Sequence, residues 1–291
     1  MQLLIYIIIY PILWLISKLP FRLLYIFSDF VYILIYRVIG FRKKVVRSNL
    51  EMALPQLSEK ERREIEKKFY HHLCDMFLEM IKTISISKSE IEKRFAFENL
   101  DTYKDLEKKG KDIALLASHY ASYEWLISMN NYIDFQGVGI YKKIANKHFD
   151  RLVKNIRLKF KAQLVTTKKT KEAIIKNKQN GIKCVYGFAS DQTPSISNRN
   201  YWYKFMEIET PIHIGAEVLA KEFDMNVILL TVKKVKRGYY KASFEILCDT
   251  NVKDIPNYEI SETFIKRVEE QIYDAPEFYF WIHKRWKHRK D

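Results

Sequence analysis

The chain has 291 residues, of which 48% are hydrophobic and 29% charged, enough to bury one sizeable core or a core with a small appendage. Its formal net charge of +15 exceeds what solubility requires and points to phosphate-rich partners: nucleic acid, an anionic membrane, or an acidic protein or substrate. Cys74, Cys184 and Cys248 are too few and too scattered for a disulfide framework or a zinc cluster, and the eight glycines form neither G-x-G-x-x-G nor G-x4-G-K-[ST], which excludes a nucleotide-binding loop of those kinds.

Residues 1–17 carry no charged side chain, and a second apolar stretch, 19–39, is broken by Arg22, Asp29 and Arg37. The first is slightly short for a membrane-spanning helix and contains Pro11. A signal peptide is disfavoured, because no positive region precedes the apolar run and no small-x-small site follows it. The flanking positives Lys18, Arg22, Arg37, Arg42, Lys43, Lys44 and Arg47 lie C-terminal to the first run, which orients the rest of the chain towards the cytoplasm. Tyr6, Tyr10, Trp14, Tyr25, Tyr32 and Tyr36 suit the headgroup level. The expectation is a membrane-associated helical region over 1–40, either a short anchor or a hairpin in one leaflet, followed by a second unit over 41–291.

Residues 58–86 read as helical: Ser58 and Glu61 have capping-box spacing, and Phe69, Leu73, Phe77 and Met80 recur at helical intervals. From residue 111 the pattern alternates. Strand-like runs at 113–117, 136–141, 163–166, 183–188 and 226–232 are separated by helix-like segments at 123–132, 147–160, 170–178 and 214–223. A strand at 239–247 and a helix at 261–273 follow. The pattern predicts an α/β fold with a mixed, largely parallel central sheet flanked by helices.

Sites in such sheets form beyond the carboxyl ends of the strands. His119 directly follows the run 113–117, and Glu124 stands five residues on. An imidazole oriented by a carboxylate is a general base, the group needed to take a proton from an attacking hydroxyl. That spacing also recurs by chance in a chain rich in acidic residues, so context carries the reading. Asp191 and Gln192 follow 183–188 in the same way and can converge with His119, although Asp191 alone reads equally well as a cap before Pro194. Arg157 lies among Arg151, Lys154, Lys159 and Lys161, either on a solvated basic face or as a cation for a phosphate or oxyanion. His71, His72 and Asp75 make a poor metal set, because adjacent histidines point to different helix faces. No metal is expected.

An ordered set of segments resembles the bacterial lipid A biosynthesis (late) acyltransferases, a branch of the H-x4-D/E acyltransferase superfamily. Arg47-Ser-Asn-Leu50 with Pro55 looks like the family's early segment, and Ser118-His-Tyr-Ala-Ser-Tyr-Glu-Trp125 like its catalytic block. Asn146 and Arg157 fall where the family has an Asn-then-Arg helix, Asp191-Gln192 at its D-Q turn, and Thr210 to Ala220 at the helix after it. Pro276-Glu-Phe-Tyr-Phe-Trp-Ile-His-Lys-Arg-Trp-Lys287 looks like the C-terminal signature. The chain departs from the pattern at Ala121 and Ser122, where the family usually carries Gly-Asn, and in a glycine-poor stretch after Gln192.

The resemblance implies acyl transfer from the thioester of acyl carrier protein, an acidic donor, to a hydroxyl of a lipid A precursor. No cofactor is implied, and the place is the cytoplasmic face of a bacterial inner membrane. His119 is then the base and Glu124 the carboxylate that holds its tautomer. Arg157, Asp191, Gln192 and Asn146 serve substrate or oxyanion binding, with Asp191 orienting Arg157 or the loop around the acceptor. Trp281, His283, Arg285 and Trp286 face a phosphorylated glycolipid headgroup at the anionic membrane surface. The alternatives are acylation of a lysophospholipid or an aminolipid or, in a different class, non-catalytic binding of membrane or nucleic acid. Nucleic acid is not expected, because the aromatics sit in apolar runs instead of interleaving with the basic patches.

Overall fold

Residues 2–195 and 201–290 are described by the computed structural model; Met1, the first residue of the expected anchor, and Asp291 lie outside them. The apolar N-terminus forms helix α1 (Gln2–Lys18) and, after Pro20, α2 (Phe21–Tyr32), which runs on as a π-helical turn, Ile33–Ile39, until Gly40 ends it in the left-handed region. Leu4, Ile8, Leu15, Ile26, Phe30 and Val38 are all exposed along this stretch. No single helix among the described residues is long and apolar enough to cross a membrane; Phe21–Ile39 and Lys43–Ala53 form a pair bent by 90°.

Helix α1 is fastened to the body at both ends. Near its start, Tyr6 packs against His148 and Phe149, and Asn146 Nδ2 donates to the Gln2 carbonyl at 3.4 Å. At its end, Lys82 Nζ donates to the carbonyls of Ser17 and Leu19, each at 2.7 Å. Helices α3 (Lys43–Ala53) and α4 (Glu59–Lys82) follow, and the Ser58–Glu61 capping box forms as its spacing predicts. Next come α5 (Lys88–Arg94), β1 (Phe95–Phe97) and α6 (Leu100–Lys108).

The α/β part runs through β2 (Ile113–Ala117), β3 (Gln136–Tyr141), α7 (Lys147–Leu158), β4 (Gln163–Thr166), α8 (Thr170–Gln179) and β5 (Cys184–Ala189). It continues with a hairpin of β6 (Trp202–Phe205) and β7 (Ile208–Pro211), then α9 (Gly215–Phe223), β8 (Asn226–Lys236), β9 (Tyr239–Cys248) and α10 (Glu259–Asp274). Among the described residues, seven strands form one sheet in the order β1-β9-β8-β2-β5-β3-β4, parallel except for the β8–β9 pair. The expected mixed, largely parallel α/β sheet is therefore present. All five residues of β2 are buried, as suits a central parallel strand covered on both faces.

Three elements differ from the sequence reading. Residues 123–131 wind as 3-10 turns and not as an α-helix. Strand β1 is only three residues long, too short to show alternation. The β6–β7 hairpin turns through Met206 and Glu207, both left-handed (φ 55 and 60), so the two-residue turn lacks the Asn-Gly or Asp-Gly pair that would announce it.

Candidate functional site

Strand register brings the site together. β2 and β5 pair in parallel from Ile113 with Val185 to Ala117 with Ala189. Two residues beyond each strand stand His119 and Asp191, and the Ser190 N–H still reaches the Ala117 carbonyl at 3.4 Å. His119 Nδ1 lies 2.7 Å from Asp191 Oδ1, and the His119 backbone N–H donates to the same oxygen at 3.1 Å. Asp191 is fully buried, whereas the His119 side chain keeps 19% of its surface open. Burial pulls the imidazole's pKa down, but the Asp191 carboxylate outweighs it and holds His119 above the ordinary histidine value. Burial likewise works against the Asp191 charge, and the imidazole beside it keeps the carboxyl below its usual range.

This differs from the expected pairing. Glu124 does not touch the imidazole; it accepts from Arg157 Nη2 at 3.2 Å, and its charge reaches His119 only through space. Asp191, expected to orient Arg157 or the loop around the acceptor, holds His119. The cause is local: Ala121 is left-handed (φ 49), and the 3-10 turns after it carry Glu124 towards α7 and Arg157.

A cavity of about 710 Å³ opens at this corner. His119, Glu124, Arg157, Gln192 and His213 line it together with Leu126, Ile133, Leu164 and Leu219. Part of its wall is bare sheet, since Gly139 and Gly187 are register partners and both line it. A Cβ on Gly139 would come within 3.1 Å of the Leu164 side chain. Ser118, Ser190 and His213, which the sequence reading did not single out as site residues, also line the cavity. His213 lies just before α9; burial, then the charge of Arg285, lowers its pKa. Nothing in its own sequence neighbourhood signals that placement.

Asn146 is not among the lining residues. It caps α7, its Oδ1 accepting from the backbone of His148 (3.0 Å) and Phe149 (3.4 Å). The residues weighed as a metal set are engaged elsewhere: His71 with Asp29 (3.2 Å), His72 with Lys234 (3.2 Å) and Asp75 with Arg237 (2.7 Å).

The C-terminal block corrects a further expectation. Trp281, Arg285 and Trp286, expected at a lipid headgroup, are buried, with 1% of their surface exposed at most. The two indoles stack in a row with Phe205 and donate to the carbonyls of Pro276 (2.6 Å) and Phe205 (3.1 Å). His283 is also turned inward: its Nε2 accepts from the Thr193 N–H at 3.1 Å, and burial, then Arg285, brings its pKa down to about 4. Asn49 of the early segment donates to the carbonyls of Trp281 and His283, each at 2.7 Å. The Ala121 N–H donates to the Phe278 carbonyl at 2.9 Å. The block thus braces the turns that carry His119 and Asp191 from behind.

An imidazole–carboxylate pair at the carboxyl edge of a mostly parallel sheet, opening onto a largely apolar cavity, defines an α/β enzyme site for a substrate with a long apolar part. Residues 2–288 match the family model described as bacterial lipid A biosynthesis acyltransferase. The chain is similar to the lipid A biosynthesis lauroyltransferase of Escherichia coli (strain K12), 24% identical over 283 residues that cover 96% of this chain and 90% of the relative. It is also similar to the palmitoleoyltransferase of the same organism and to a lipid A biosynthesis acyltransferase of Shigella flexneri. Each is 22% identical over 290 residues, covering 96% of this chain and 89% of the relative. The chain belongs to the bacterial lipid A biosynthesis acyltransferase family and is an O-acyltransferase.

Proposed function

We propose that this enzyme moves a fatty acyl chain from the thioester of acyl carrier protein to a hydroxyl of a lipid A precursor. His119 is the base, and Asp191, rather than Glu124, is the carboxylate that orients it. The observation that carries this reading is the 2.7 Å pair of His119 Nδ1 and Asp191 Oδ1 at the wall of the cavity.

With Nδ1 committed to Asp191, Nε2 is the nitrogen free to take the acceptor's proton. The hydroxyl oxygen then adds to the thioester carbonyl, and the resulting oxyanion collapses with cleavage of the carbon–sulfur bond. The proton on the imidazolium passes to the departing thiolate, leaving a new ester and a free thiol. Arg157, steadied by Glu124, offers a cation to the oxyanion or to a substrate phosphate. A cavity of 710 Å³ falls within the range of about 300–1,000 Å³ usual for ligand pockets, and its apolar lining suits the acyl chain.

The exposed apolar residues of α1, α2 and the turn after them support a membrane-facing region over 1–40, and the positive residues C-terminal to the first apolar run suit a catalytic unit, 41–291, on the cytoplasmic side. Fastening α1 at both ends favours its lying in one leaflet. The +15 charge suits docking of an acidic carrier protein and an anionic surface.

The test is transfer of labelled acyl chains from acyl carrier protein to a tetra-acylated lipid A precursor by membranes holding the wild type or His119→Ala. Product from the wild type alone supports the reading, and equal product from both removes His119 from the mechanism. No product from either folded protein rejects this acceptor and moves the assay to lysophospholipids and aminolipids.

A further inference from the structure

Arg285 carries a cation into the interior with only 1% of its surface exposed. Its Nη1 donates to Thr210 Oγ1 (3.3 Å) and to the Pro211 carbonyl (3.1 Å), and its guanidinium lies over the Phe205 ring at 4.8 Å. Nε and Nη2 find no acceptor. A buried charge served by two neutral acceptors is costly, by several kcal/mol, unless an opposite charge lies within reach of its field.

The same corner holds the complementary orphan. Asp191 is fully buried, and its Oδ2 has no partner in good hydrogen-bond geometry, the Tyr279 hydroxyl being the neutral donor set towards the carboxylate. Their two backbone segments are tied through Thr193, which sits two positions after Asp191 and donates its hydroxyl to the Arg285 backbone carbonyl. Tyr279 lies beside both: its ring meets Phe205 edge-on, and burial, then the Asp191 charge, raises its hydroxyl pKa. Burial lowers the Arg285 pKa, and the Asp191 charge acts in the opposite direction. In so dry a corner, opposite charges attract appreciably without touching.

We propose that Arg285 is a positioning residue of this site, the standing counter-charge that keeps Asp191 an anion while His119 takes up and releases its proton. The inference rests on the reading of His119 and Asp191 as base and orienting carboxylate. With His119 neutral and ready to act, Asp191 would otherwise be a buried anion with no cation near it. The imidazole would then be its sole counter-charge and would hold its proton too firmly for ready release. Arg285 supplies a second counter-charge and, by repelling the imidazolium, leaves the base easier to discharge. The other titratable groups around the pair are Tyr123 and Glu124 from the 3-10 turns, Arg157 from α7, His213 before α9, and Tyr279 and His283 from the C-terminal block.

The test is nuclear magnetic resonance titration of the full-length protein with labelled histidine, His119 being assigned by the signal lost in His119→Gln. Arg285→Met is expected to raise the midpoint of His119 protonation by about one pH unit, a tenfold change in the ratio of protonated to neutral imidazole. Arg285→Lys, which keeps the charge, stays near the wild type, and the acid limb of kcat/KM moves with the titration. An unchanged midpoint in folded Arg285→Met overturns the proposal, because a merely structural arginine would leave the titration alone. Should that variant not fold, Arg285→Gln, polar but uncharged, carries the same comparison. The titration needs no substrate, so a failed transfer assay counts against the proposed reaction and not against the role of Arg285.

Discussion

The protein buries two polar clusters, and they are built on opposite plans. In the first, Asp75 and Glu79 of α4 have every carboxylate oxygen partnered. Asp75 meets Ser28 Oγ (2.7 Å) and Arg237 (2.7 Å), with Lys234 at 3.7 Å, while Glu79 accepts from Tyr25 and Tyr240, each at 2.9 Å. This cluster fastens α2 to α4 and to the turn between β8 and β9. Burial lifts the Glu79 carboxyl to about 7. In the second cluster, around His119 and Asp191, Asp191 Oδ2 and two nitrogens of Arg285 are left unpartnered, and the imidazole opens onto a cavity. Satisfied groups hold a structure in one state, whereas the unpartnered groups of the second cluster suit the proton transfer proposed for it.

That contrast can be broken by substitution. His119→Ala is expected to lower the acyl-transfer kcat by roughly 10²–10⁴ while shifting denaturant unfolding little. Asp75→Ala should do the reverse. It strands Lys234 and Arg237, destabilises the fold by about 3–5 kcal/mol in a urea or thermal melt, and leaves the His119 titration where it was.

Next comes pH. The folded-state pKa of His119 lies above the ordinary value of 6.5, so the free base, and with it kcat/KM, should rise through a midpoint above 6.5. The imidazole's contribution to stability runs the other way: while Asp191 stays ionised it is fully present below 6.5, and it is lost as pH rises through the folded value. A midpoint below 6.5 would contradict the pairing with Asp191. The smallest effect expected is at Ala121, whose φ of 49 places a Cβ in the left-handed region. Ala121→Gly should stabilise the protein by up to about 1 kcal/mol, read from the unfolding midpoint, because relief of strain exceeds the entropy glycine adds to the unfolded chain.

Much of this was legible in the sequence. The strands at 113–117, 136–141 and 163–166 stand where the apolar runs placed them, most plainly the first, a central parallel strand buried and apolar along its whole length. His119 and Asp191 were both found, at the same sheet edge, from their position after strands. Their partnership was not, since pairing depends on a register between strands some 70 residues apart, which no local pattern records. The sequence favoured Glu124 for nearness along the chain, and a left-handed alanine defeated it. Trp281, Arg285 and Trp286 misled for a related reason: an aromatic and basic run looks amphipathic until its partners, Phe205, Thr210 and Asn49, come in from other elements.

The shared register of β2 and β5 bears on how such a chain can diverge. Six positions separate Ile113 from His119, and six separate Val185 from Asp191, so the two side chains arrive level. A single residue inserted in either strand would carry one of them past the other and turn it to the opposite face. Loops can lengthen and side chains can be exchanged almost without limit, but this count cannot change in one strand alone. An alignment of distant relatives should therefore place its gaps outside 113–119 and 185–191, however little identity remains between them.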